Sequence, residues 1–86
     1  MKISGRQLAA ARSLLNWSQD HLALAAEVTA QTIMNWENGH HLPRQATMDR
    51  VREAIEARGV EFTNGGAPGV RFKPKADAAE SDSAGK

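Results

Sequence analysis

The sequence predicts a mostly α-helical protein: four short helices, then a C-terminal β-hairpin and an acidic tail. Three observations carry this. Three helix-start signals of one design follow each other closely, the apolar residues between them recur at helical spacing, and beyond Gly59 the apolar period changes from helical to two. With 86 residues the chain holds one small core and not two domains.

The first helix is predicted to begin at Gly5. Ser4 is its N-cap, Gln7 can reach back to complete a capping box, and Ile3 can pack on Leu8 as a hydrophobic staple. Leu8, Ala11, Leu14 and Leu15 form its apolar stripe. Ser18 caps the second helix, with Trp17 stapling onto Leu22 and a core face of Leu22, Ala25 and Ala26. Thr29 caps the third, with Val28 stapling onto Ile33. Ile33 and Trp36 give that helix one narrow buried stripe, which puts Ala30, Gln31, Met34 and Asn35 on or near the opposite side. Asn38-Gly39 ends it, since glycine takes the left-handed conformation without a Cβ clash.

After a loop from His40 to Arg44, the fourth helix is expected to start near Thr47 and run to about Arg58. Its core face is Met48, Val51, Ala54 and Ile55. Val60, Phe62, Val70 and Phe72 can then share one face of a hairpin, with Glu61 and Arg71 on the other. Two strands alone are marginal in water, so this face must pack on the helices or on another chain. The expected organisation is a helical domain over 1–59, a hairpin and candidate dimerisation element over 60–73, and a disordered tail over 74–86.

Charge follows the same division. Residues 1–75 hold ten Lys/Arg against seven Asp/Glu, a formal +3, while residues 76–86 hold one Lys against three acids, a formal −2. A mildly basic body is compatible with nucleic acid without requiring it. With no cysteine, disulfides and thiolate metal sites are excluded. The apolar runs are too short to span a membrane, and the expected location is the cytoplasm.

Catalysis is not expected. Only His21, His40 and His41 are available with scattered carboxylates, no His-x-x-x-His pair occurs, and the glycine-rich Gly65–Gly69 stretch reads as a hairpin turn and not a phosphate cradle. No metal site or cofactor is implied. The third helix suggests another chemistry. A short helix with one buried stripe and a polar, uncharged outer face fits the DNA major groove, where an amide side chain can pair with adenine N6 and N7. Gln31 and Asn35, at i and i+4, are the candidate base readers, and Ala30 and Met34 can touch thymine methyl groups. Ser18, Thr29, Thr32 and Asn38 lie at helix ends where hydroxyls, amides and N–H groups can hold phosphates; His40, His41 and Arg44 just beyond can do the same.

The segments Asn16-Trp17-Ser18-Gln19-Asp20-His21-Leu22-Ala23, Val28-Thr29-Ala30-Gln31-Thr32-Ile33 and Trp36-Glu37-Asn38-Gly39 resemble the Cro/C1-type (XRE family, lambda-repressor-like) helix-turn-helix transcriptional regulators. The resemblance spans about Ile3 to Arg58. It implies a regulator of transcription, a repressor by family expectation, that binds an inverted-repeat double-stranded DNA operator as a homodimer. It further implies that Gln19 contacts phosphate and that Arg12 pairs with Glu37 as a structural ion pair. Phe62, Val70 and Phe72 are the candidate dimer interface. The sequence departs from the family at Glu27, where glycine is usual in the turn, and in having no Lys or Arg on the third helix. A second reading stays open, an antitoxin or anti-activator type module whose hairpin binds a protein partner while DNA binding serves autoregulation.

Overall fold

The structure, a computed structural model, describes residues 2–64 and 66–74. Its elements are α1 (Gly5–Leu15), α2 (Gln19–Ala26), α3 (Ala30–Glu37), α4 (Gln45–Glu56), β1 (Val60–Thr63) and β2 (Gly69–Phe72). The tail expected to be disordered lies outside the described residues apart from its first residue, Pro74. Among the described residues no helix is long and apolar enough to cross a membrane.

The first three helix starts are as expected. Ser4 accepts from the Gln7 N–H while the Ser4 N–H donates to Gln7 Oε1; Ser18 accepts from the His21 N–H, and Thr29 from the Thr32 N–H. Each bond satisfies an amide that the helix itself leaves unpaired. The fourth start differs. α4 begins at Gln45 and not near Thr47, with Arg44 at the N-cap and no side-chain cap bond. The Arg44 carbonyl already accepts from the Met48 N–H, and Met48, Val51 and Ile55 are buried, so packing of this face holds the first turn without a side-chain cap. The helix also ends at Glu56, before a turn that reaches Gly59.

The core is drawn from the segment before α1, the four helices and β1: Ile3, Leu8 and Ala11; Leu22, Ala23 and Ala26; Ile33 and Trp36; Met48, Val51 and Ile55; Val60 and Phe62. Two expected members are replaced. Leu14 and Ala25 are exposed, and Ala23 faces inward instead, because α2 approaches both α3 and α4 along its Leu22-Ala23-Ala26 side. Trp36 is fully buried, and its Nε1–H donates to the Ile3 carbonyl at 2.8 Å. α1 meets the end of α3 so closely that a Cβ at Gly5 would lie 2.3 Å from the Trp36 carbonyl oxygen, which explains a glycine at the first helical position.

β1 and β2 pair antiparallel, Val60 opposite Phe72 and Phe62 opposite Val70. The hairpin covers its own helices through β1: Val60 and Phe62 are buried, Val70 is half-buried, and Phe72 stays 56% exposed. Phe62 is thus part of the chain's own core, which leaves Val70 and Phe72 as the accessible part of the expected interface set. Gln7 fastens this layer. Its buried side-chain amide donates towards the Thr63 and Gly69 carbonyls and Asn64 Oδ1, at 3.1, 3.2 and 3.2 Å. Gln7→Ala leaves the strand carbonyls without this donor, and should lower the unfolding free energy by about 1–3 kcal/mol. An unchanged urea midpoint would contradict that role.

Glu27 takes the left-handed conformation in the turn after α2, with φ 60°. The Arg50 guanidinium donates to its carbonyl at 3.1 Å and ties the turn to α4. A residue with a Cβ there costs roughly 1 kcal/mol relative to glycine. Glu27→Gly is therefore expected to raise the melting temperature by about 4–8 °C; a fall would mean that the Glu27 side chain contributes more than its backbone costs.

Candidate nucleic-acid interface

α2, the turn from Glu27 to Thr29 and α3 form two short helices in close succession, and the cap of each fixes where it begins. α3 buries Ile33 and Trp36 and thereby fixes its opposite face outward. Gln31 is exposed, Met34 is 39% exposed and Asn35 is half-buried. Ala30 is partly buried against the core, so its position beside Gln31 is closer to the helix flank than to the centre of the outer face. The Gln31 side-chain amide donates to Asn35 Oδ1 at 3.0 Å. This bond joins the two amides into one unit and leaves Gln31 Oε1 as acceptor and the Asn35 amide N–H groups as donors. Adenine presents the complementary set, an N6–H donor beside the N7 acceptor.

The groups around this face fall into two sets. Ser18, Gln19, Thr29 and Thr32 lie at the starts of α2 and α3; Asn38, His40, His41 and Arg44 follow the end of α3. Thr29 and Thr32 also bond through their hydroxyls at 2.9 Å. Thr32 and Asn35 meet His41, Arg44 and Thr47 around one concavity of about 390 Å³ beside α3. Residues from the helix, the loop and the start of α4 thus share one surface. The one Lys or Arg on it is Arg44 of the loop, because α3 carries none.

Behind the face lies an ion pair. Arg12 donates from Nε to Glu37 Oε2 and from Nη2 to Oε1, both at 2.7 Å, and from Nη1 to the Trp17 carbonyl at 2.9 Å. The Glu37 side chain is only 6% exposed and Arg12 20%. The hydrogen bond to Glu37 raises the Arg12 pKa above its ordinary value; burial acts the other way, and the Glu37 charge adds to the rise. The guanidinium stays charged, and α1 is locked to the end of α3. Gln19 belongs to the same network, since its Nε2 donates to Glu37 Oε1 at 3.0 Å. That link between the start of α2 and the end of α3 carries no local sequence signal, and it gives Gln19 a structural partner besides the expected phosphate. Basic residues of α4 and of the turn after it take other roles. Arg52 pairs with Asp49 and Glu56, and Arg58 lies over the Trp17 ring, which itself stacks on His21.

Two capped helices across a tight turn, the second carrying polar groups outward and locked from behind, define a helix-turn-helix DNA-binding protein. The helix-turn-helix family profile matches residues 8–61 of the chain. The protein belongs to the Cro/C1-type helix-turn-helix (XRE) family. No curated protein matches it.

Proposed function

We propose that the protein is a sequence-specific, dimeric transcriptional repressor that reads an inverted-repeat operator by placing α3 in the major groove. The observation that carries this reading is the linked Gln31–Asn35 amide pair on the exposed face of α3, backed by the buried Ile33 and Trp36. Gln31 and Asn35 read base edges, with Ala30 and Met34 supplying apolar contact. Ser18, Gln19, Thr29, Thr32, Asn38, His40, His41 and Arg44 hold phosphates and set the register. One module of this size covers a half-site, so two copies bind half-sites about one helical turn apart. Val70 and Phe72 on β2, with Phe72 left 56% exposed, are the surface for the second copy. Repression follows from occlusion of the promoter.

The test is a mobility shift on the DNA immediately upstream of the protein's own coding sequence, with excess nonspecific competitor at two salt concentrations. Binding should survive competition and fall with salt as phosphate contacts weaken. Complexes that vanish into the competitor at both concentrations would remove the reading for that site.

A further inference from the structure

A second concavity of about 390 Å³ lies on the other side of the loop that follows α3, between the N-terminal segment, the end of α3 and the tip of the hairpin. Ile3, Gly5 and Trp36 floor it, and Leu42 and Pro68 wall it. Leu42 is 50% exposed, a large apolar side chain that the described part of the chain leaves uncovered. The polar groups at the floor are already used: Ser4 and Gln7 bond each other, and Asn64 accepts from Gln7 and donates to the Lys2 carbonyl. Lys2, His40 and His41 complete the lining, no acidic residue belongs to it, and among the described residues none of those three side chains makes a hydrogen bond or ion pair. A mainly apolar lining with a few polar side chains whose hydrogen-bonding capacity is unused, in a volume of this order, is the usual form of a small-molecule site.

We propose that this cavity binds a small organic anion with a flat apolar body, seated against Leu42 and Pro68 with its anionic group towards Lys2, His40 and His41. Lys2, with no Asp or Glu in the lining to oppose it, selects the anion. The site also bears on the DNA reading, and this consequence rests on that reading: His40 and His41 are needed at phosphate, and His41 and Leu42 line both this cavity and the concavity beside α3. The loop is a shared wall that starts at Gly39, with φ +78°. An occupant that holds the imidazoles inward opposes DNA binding, and DNA opposes the occupant by the same factor.

The probe is phenylacetate, followed by amide chemical shifts of the ¹⁵N-labelled full chain without DNA, with phenylacetamide as the uncharged analogue and acetate as the anion without an apolar body. Phenylacetate should move the amides of Ile3, Gly5, Gly39, His40, His41, Leu42 and Asn64. It should bind about tenfold more tightly than phenylacetamide; acetate should leave these amides unmoved. Lys2→Ala/His40→Ala/His41→Ala should bring phenylacetate down to the level of phenylacetamide, and Leu42→Gln, at an exposed position, should weaken both. Shifts scattered over the chain, equal binding of the two analogues, or no effect of either variant would overturn the site. This readout needs no DNA, so it stands or falls apart from the DNA-binding reading. Added to a DNA complex, phenylacetate should lower the affinity of wild type and leave Leu42→Gln unaffected; unchanged affinity with the probe bound would overturn the competition for the histidines.

Discussion

Arg12→Ala is expected to lower the unfolding free energy by about 3 kcal/mol or more, whereas Arg58→Ala should cost about 1 kcal/mol or less. The difference comes from what each leaves behind. Without Arg12, Glu37 keeps a buried carboxylate whose remaining partner in the network is the neutral Gln19 amide, and the Trp17 carbonyl loses a donor as well. Without Arg58, a cation leaves the face of Trp17, where its guanidinium carbon sits 5.9 Å from the ring centroid, and no charge is stranded. For a domain of this length each kcal/mol moves the melting temperature by roughly 4–8 °C, so the two variants should separate clearly. Urea unfolding followed by far-ultraviolet circular dichroism measures both, and equal midpoints would remove the structural role of the Arg12–Glu37 pair. The consequence reaches function, because the pair fixes the end of α3 on α1 and orients Gln19 through the same carboxylate.

Local chemistry was the legible part of this fold. Ser4, Ser18 and Thr29 each satisfy a helix amide three residues on, so their sequence neighbours alone reveal three helix starts. Gly39 and Gly59 mark chain reversals for the same reason, both having positive φ. Where the deciding partner is distant, sequence was a poor guide. Gln7 reads as half of a capping box, yet its amide also reaches atoms 56, 57 and 62 residues away and fastens the hairpin. Gln19 reads as a surface amide, yet it meets Glu37 across the helix-turn-helix. α4 starts at Gln45 with no side-chain cap, so no local signal marks its first turn, which the buried Met48 holds. A two-residue period shows which side chains share a face but not what covers it, and Phe62 is covered by the chain's own helices. The outer face of α3 was legible in another way: once Ile33 and Trp36 are inward, helical geometry leaves few places for Gln31 and Asn35. Their mutual hydrogen bond was not, since it depends on rotamers.

The second large effect is on DNA. Gln31→Ala/Asn35→Ala removes both amides of the linked pair, and a good bidentate base contact contributes about 1–3 kcal/mol of discrimination. Loss of both should weaken specific binding by about a hundredfold or more and bring it to the nonspecific level. Neither residue belongs to the buried core, so stability should change by no more than a few tenths of a kcal/mol. With no cation on α3, the variant keeps every Lys and Arg, and its salt dependence should resemble that of the wild type.

The most direct measurement is therefore a competition mobility shift of wild type and this double variant on the upstream DNA, with circular dichroism to verify that both are folded. The expected result is a wild-type complex that resists excess competitor and a folded variant that does not. Equal affinity and equal resistance to competitor in the two proteins would contradict the assignment of α3 as the base-reading helix.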